Sequence, residues 1–270
     1  MRSLFLSKNE IDITQYRNRS AQESDCDILI SEDATIVVEG KTVVVYYAGI
    51  KDEVLDGMES ALKRITYSES TRTSGLVTTS RIFGFAPRNK MRNHPCRSVS
   101  LASEDPASHS DVCRCAELAA KYYRRSFPEV AKLHEELLRS RVNDRYVISR
   151  SMFTSGIINK NNPLQYHFDS GNFKNVCSAM FAFKRTVEGG HLCIPQLGVK
   201  LEIGNHSLLL FDGQGLLHGV TPIIKKNPQS YRYTVVYYSL QQMWNCLAVD
   251  GEIALLRQQK TEFERRKAGV

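Results

Sequence analysis

From Arg145 onward the chain breaks into short runs rich in β-branched and aromatic residues: Tyr146–Ile158, Val176–Phe183, His191–Ile194, Ser207–Phe211, Leu216–Val220 and Tyr231–Leu240. Glycine, proline and asparagine turns separate them. Strands this short, at this spacing, bury their side chains as an all-β sandwich or barrel. The preceding part differs. Ala34–Val38 and Thr42–Tyr47 flank Glu39-Gly40-Lys41 and read as a hairpin. Between Lys51 and Ile65 the apolar residues Val54, Leu55, Met58, Leu62 and Ile65 follow a helical period.

Residues 66–108 carry glycine, proline, serine and threonine punctuation and read as a long, mostly irregular segment. Two helices are expected next. One spans about Ser110 to Arg125. The other starts at Ser126, with Ser126 and Glu129 at capping-box spacing, Pro128 in the first turn and Val130, Leu133 and Leu137 as its apolar stripe. Asn143-Asp144 ends it. A charged helix from Gly251 to Lys267, with Ile253, Leu256 and Phe263 on one side, closes the chain.

The expected fold class is therefore α+β: an all-β sandwich or barrel core with flanking N-terminal helices and a C-terminal helix. Within a single domain, 1–270, the boundaries fall at 1–70 (hairpin and helix), 71–108 (basic segment), 109–144 (helices), 145–240 (core) and 241–270 (terminal helix). No apolar run approaches a membrane span, and Met1–Lys8 is too short an apolar start for a signal peptide. An intracellular address is expected: host cytoplasm for a viral chain, nucleus for a eukaryotic one. Seven cysteines show no regular framework and fit a reducing compartment. His94, Cys96, His109, Cys113 and Cys115 fall close together, but Cys-x-Cys is not the usual zinc spacing. Buried thiols are the reading preferred over a structural zinc.

Charge is uneven along this +7 chain. Ser70 to Ser103 contains no Asp or Glu, yet carries Arg72, Arg81, Arg88, Lys90, Arg92 and Arg97 with Phe83 and Phe85 among them. Cations interleaved with rings suit a nucleic-acid-facing loop, and they equally suit a solvated basic surface.

Chemistry concentrates in His167-Phe168-Asp169, then His218, then Arg232. Two histidines and a carboxylate can occupy one face of a six-coordinate metal and leave the other face open. On a straight strand His167 and Asp169 share a face, with Phe168 opposite. Arg232 opens the run Arg232–Tyr238, where alternation puts it on the same face as Thr234. A guanidinium and a hydroxyl can bind a carboxylate. A three-ligand zinc hydrolase is the chemical competitor, and it leaves the arginine without a task. Asp212 reads equally as a support for a ligand histidine and as a turn aspartate.

With these residues in view, the chain resembles the Fe(II)- and 2-oxoglutarate-dependent double-stranded β-helix dioxygenases, and among them the TET/JBP group. The blocks Phe153–Asn161, His167–Phe173, Gly189–Gly198, Leu208–Gly213, His218–Pro222 and Arg232–Tyr238 carry the resemblance, which covers about residues 72–240 and is nearest the J-binding-protein and phage-like branch. It implies a double-stranded β-helix (jelly-roll or cupin-type) core, and hydroxylation of the C5-methyl of a pyrimidine in DNA, 5-methylcytosine or thymine, with further oxidation open. It implies Fe(II) on His167, Asp169 and His218, 2-oxoglutarate on Arg232 and Thr234, and O2 as co-reactant. The target base must flip out of the duplex to reach such a site. Arg81 and Arg88 are the candidate phosphate contacts. Asn159, Asn161 and Asn172 are candidate readers of the base edge, or else turn-forming and capping asparagines. DNA is the expected partner, with no membrane and no obligate protein partner. The rivals are a prolyl-type peptidyl or small-molecule hydroxylase on the same fold, and a DNA-binding module with a structural metal.

Overall fold

The hairpin forms where the sequence places it, and it widens a much larger sheet. In the computed structural model, which describes residues 1–71, 77–89 and 94–268, the N-terminal part runs β1 (Arg2–Leu6), β2 (Ile28–Ile30), β3 (Ala34–Val38), β4 (Lys41–Tyr47) and α1 (Glu53–Arg64). Then come β5 (Ser68–Thr71), β6 (Val77–Ala86), β7 (Arg97–Ser98), α2 (Leu101–Glu104), α3 (Pro106–Ser126) and α4 (Pro128–Arg141). The C-terminal half supplies β8 (Ser155–Lys160), β9 (Ser178–Arg185), β10 (Val187–Gly189), β11 (Leu192–Ile194), β12 (Val199–Leu201) and β13 (Ser207–Phe211). It ends with β14 (Gly219–Val220), β15 (Ile223–Lys225), β16 (Tyr231–Tyr238) and α5 (Val249–Ala268).

A 10-stranded sheet runs β1-β3-β4-β13-β9-β16-β8-β6-β5, with β7 beside β6, and a 4-stranded sheet runs β14-β11-β12-β2. Alternation along the central strands builds two layers. Leu208 and Leu210 of β13, Phe181 and Phe183 of β9, and Val235 and Tyr237 of β16 join one core with Leu55, Met58 and Leu62 of α1 and with Val112, Ala116 and Tyr123 of α3. Their neighbours Leu209, Phe211, Met180 and Ala182 face inward onto Leu192, Ile194, Val199 and Leu201 of the smaller sheet. This is the expected α+β jelly roll, with helices on one side and the inter-sheet space on the other.

Several local expectations are corrected. The 66–108 segment is not mostly irregular: β6 pairs with β8 in the main sheet and buries Phe83 completely. Its serines, threonines and glycine hid the strand, in which only Phe83 and Phe85 mark a common apolar face. Arg72, Lys90 and Arg92 lie outside the described residues. Pro128 does open α4, but the capping box does not form: Phe127 holds the N-cap position, and Ser126 ends α3 with its Oγ on the Tyr47 hydroxyl at 2.9 Å. The buried residues of α4 are Ala131, His134 and Leu138, whereas Leu133 is exposed. In α5 the one buried side chain with polar partners is Glu252, while Ile253 and Phe263 are exposed. Glu252 accepts from Arg88 and from the backbone N–H groups of Cys96 (3.0 Å) and Leu247 (2.8 Å).

The cysteines also differ from expectation. Cys96 and Cys246, 150 residues apart, form a disulfide that no spacing in the sequence announces. Cys113 Sγ lies 3.6 Å from His109 Nε2, and that nitrogen accepts from Gly84 N–H at 3.1 Å. Cys115 Sγ faces the Val54 carbonyl at 3.4 Å. No zinc cage forms there among the described residues. No described helix is long and apolar enough to cross a membrane.

Candidate active site

His167 and His218 are brought together by a backbone rung, and their rings pack at 4.4 Å between centroids. They form an isolated antiparallel bridge in which His167 N–H donates to His218 O at 3.0 Å and His218 N–H donates to His167 O at 3.1 Å. The His-x-Asp stretch is therefore one rung, not the straight strand that alternation suggested. Phe168, expected on the opposite face, borders the same cavity. Asp169 is turned inward after the rung and held by its N–H to Gly213 O at 2.8 Å. Position 213 has no room for a side chain, since a Cβ there would lie 2.2 Å from Asp169 Oδ2.

The three side chains converge. His167 Nε2 and His218 Nε2 lie 3.7 and 3.9 Å from Asp169 Oδ1. One ligand atom from each residue falls within 4.8 Å of the others, and this is the only such group among the described residues. Each histidine has its Nδ1 against a backbone carbonyl, His167 on Gln165 O at 2.8 Å and His218 on Leu216 O at 2.9 Å. A carbonyl only accepts, so each Nδ1 carries the proton and each Nε2 lone pair points to the shared centre. The ring edge of Phe211 packs on His218 at 4.9 Å between centroids and limits its rotation.

A cavity of about 420 Å³ opens beside this triad, between the two sheets. Ile157, Leu192, Phe211, Val220 and Val236 give it apolar walls. Into it β16 sends Arg232 and Thr234 from one face, as alternation requires. Arg232 is 2 % exposed, and its Nε and Nη2 have no hydrogen-bond partner among the described residues. Burial pulls its guanidinium down to about 10, so it remains charged at neutral pH. Gly190, at φ +69°, leaves the space it fills: a Cβ there would stand 2.8 Å from Arg232 Nε. At Tyr238, also in the cavity wall, burial and then the Asp169 carboxylate push the phenol above its ordinary value.

The asparagines separate. Asn172 lines the cavity, with its Nδ2 on Ser178 Oγ at 3.3 Å. Asn161 does not line it. It sits at φ +53° past the end of β8, and its Oδ1 accepts from Arg232 N–H at 2.8 Å, a turn role. Asn159 lines the cavity at the Arg232 end, with its amide engaged by Thr234 and Asn162. Arg81 and Arg88 stand away from the cavity and have internal partners. Arg81 pairs with Ser100 and with Glu104, the first acid past the acid-free window, and Arg88 grips the buried Glu252. Each guanidinium thus has a carboxylate partner within the chain. Asp212 caps its own turn, accepting from Gln214 N–H at 2.9 Å. Asn162, Gly190 and Gly213 were not singled out from the sequence, because their work is done by contacts across the fold.

A jelly roll whose inter-sheet cavity holds two histidines, an aspartate and an unpaired arginine has the architecture of the 2-oxoglutarate oxygenases. A profile of the Tet_JBP family, the oxygenase domain of the 2OGFeDO superfamily, matches residues 82–241, and the chain belongs to that family. Similar proteins include the bifunctional helicase and thymine dioxygenase JBP2 of Leishmania braziliensis, 23% identical over 206 residues, 74% of this chain and 18% of that one. The JBP2 of Trypanosoma cruzi (strain CL Brener) is 25% identical over 223 residues, 80% of this chain and 20% of that one. The chain thus spans about a fifth of the length of the curated relatives it matches. The solved structure of NgTET1 in complex with 5mC DNA shares the fold, with a TM-score of 0.62 at 14% identity, covering 95% of this chain and 90% of that one.

Proposed function

We propose that this chain is an Fe(II)- and 2-oxoglutarate-dependent dioxygenase that hydroxylates the C5-methyl of a pyrimidine, thymine or 5-methylcytosine, in DNA. The observation that carries the reading is Arg232: a buried, charged guanidinium with two unpartnered donors, in the same cavity as the triad. A buried charge without a counter-ion is costly, and a carboxylate ligand removes that cost. The donor set fits iron: two neutral imidazole nitrogens and one carboxylate oxygen on one side of a shared point. A zinc hydrolase would use the triad but not the arginine.

Bound there, iron would supply O2 activation, coupling oxidation of 2-oxoglutarate to succinate and CO2 with insertion of the second oxygen atom into a methyl C–H bond. The chain's own tasks follow from its geometry. The Nδ1–carbonyl bonds hold both imidazoles in the tautomer that offers Nε2. Arg232 and Thr234 take the far carboxylate of 2-oxoglutarate. The apolar walls keep water from the reacting methyl. Asn172 offers the base edge an amide that donates and accepts. A methyl inside a duplex cannot reach a cavity between two sheets, so the base is read flipped out. JBP2 is named a thymine dioxygenase and NgTET1 was solved with 5mC DNA, which supports DNA as the substrate and leaves both pyrimidines in play.

Mass spectrometry of nucleosides tests this, after incubation with Fe(II), 2-oxoglutarate and DNA containing both bases. A hydroxylated pyrimidine that disappears in Asp169→Ala is expected. Succinate without any modified base would redirect the search to peptides and small molecules. DNA binding with no succinate would leave only a binding module.

Gly190→Ala gives a second check. A Cβ at φ +69° is strained by about 1–2 kcal/mol and collides with Arg232. The KM for 2-oxoglutarate should rise at least tenfold, on the order of 1.4 kcal/mol or more. An unchanged KM would mean that the guanidinium has room to shift.

A further inference from the structure

We propose that Asn159 and Asn162 are positioning residues that fix the direction of the Thr234 hydroxyl, aiming its proton at the carboxylate held by Arg232. The inference rests on the oxygenase reading above. It starts at the backbone of β6. Asn162, 3% exposed, copies a strand rung with its side chain: its Oδ1 accepts from Thr79 N–H at 2.9 Å and its Nδ2 donates to Thr79 O at 2.9 Å. The second Nδ2 proton goes to Asn159 Oδ1 at 3.2 Å. Flipping the Asn162 amide would set oxygen against oxygen at Thr79, so its orientation is dictated by the main chain.

That orientation propagates. Asn159 must present Oδ1 to Asn162, which turns its Nδ2 toward Thr234 Oγ1 at 3.4 Å. Asn159 and Thr234 are direct partners in the β8–β16 register, and they are 6% and 4% exposed. Thr234 Oγ1 is therefore an acceptor on its Asn159 side. No acceptor for its own proton lies among the described residues, and the cavity is where that proton can go. It joins the two unpartnered Arg232 donors on the same strand face. The result is a set of donors aimed at one place, which favours a ligand end that only accepts. A 2-oxo acid ending in a carboxylate satisfies it. One ending in a primary amide does not.

A double-mutant cycle separates this role from simple packing. The readouts are calorimetric binding of 2-oxoglutarate to the Mn(II)-loaded protein without O2, and the melting temperature of the metal-free protein. Asn159→Leu should weaken 2-oxoglutarate binding about tenfold in the parent, the size of one lost hydrogen bond to a charged group. In the Thr234→Val background the same change should weaken it less than about twofold, because there is no hydroxyl left to direct. Thr234→Ser, which keeps a hydroxyl, should restore the coupling. Equal weakening in both backgrounds, or none in either, would overturn the proposal, whatever happens to the melting temperature. If the unmodified protein binds no 2-oxoglutarate at all, the oxygenase reading fails and takes the relay with it.

Discussion

Arg232→Met is expected to raise the Kd for 2-oxoglutarate by two to three orders of magnitude while leaving the metal-free chain as stable as the parent, or more stable. The two effects have opposite signs because, in the proposed function, the guanidinium serves the ligand and not the fold. It is 2% exposed, and its Nε and Nη2 have no partner among the described residues. In the unliganded protein it is an uncompensated buried charge, and an unbranched apolar side chain of similar length fills its space. Replacing buried charge by well-packed apolar groups is typically neutral or stabilising, by roughly 1–4 kcal/mol. The bound state reverses the balance. Losing the partner of a desolvated carboxylate costs about 2–5 kcal/mol, hence the loss of affinity. Calorimetry and urea denaturation read the two halves separately. A variant that is destabilised and still binds normally would show that Arg232 is a structural residue.

The second large effect is acid lability centred on His134. This residue of α4 is fully buried among the rings of Tyr123, Phe153 and Phe173. Ser239 gives its proton to Met152 O at 2.7 Å, so it accepts from His134 Nε2–H at 2.9 Å. Nδ1 is then the unprotonated nitrogen, and it has no partner. Burial pulls the imidazole down to about 3 from an ordinary 6.5. The unfolded chain therefore takes up a proton that the folded chain refuses. Stability is complete above about pH 6.5 and falls as the pH drops toward about 3, with a slope near 1.4 kcal/mol per pH unit and a total on the order of 5 kcal/mol. Urea denaturation of the metal-free protein should be level from pH 7.5 to about 6.5 and follow that slope through pH 5.5 and 4.5. His134→Gln should be less stable at pH 7.5 and flatter below it. A parent curve that stays level between pH 6.5 and 4.5 would rule out a neutral buried His134.

The legible parts of the sequence were those where a period or a chemical type leaves a local trace. The β13 run Ser207–Phe211 has the bounds the sequence assigned, because every residue is apolar or small and turns bracket it. Arg232 and Thr234 fall on one face because a strand alternates whatever surrounds it. What stayed hidden depended on a partner distant in sequence. The serines and threonines of β6 look like loop until β8 is beside them. Arg81 and Arg88 look free until Glu104 and Glu252 arrive from other elements. Asn159, Asn161 and Asn162 are one polar cluster in the sequence, yet the left-handed residue at 161 sends its neighbours on separate errands. Only the cross-strand register tells which faces Thr234 and which faces Thr79.

The rung that joins His167 to His218 has a consequence for how the protein meets its metal. Two main-chain hydrogen bonds set the distance between the imidazoles before any ion is present. An arriving ion finds a finished socket, so its binding energy appears as affinity and little is consumed in ordering chain. Small metal-dependent folds behave otherwise, losing their structure with the ion. If the proposed iron site is right, emptying and refilling it should be a reversible exchange on a standing scaffold, with the melting temperature of the metal-free chain left high.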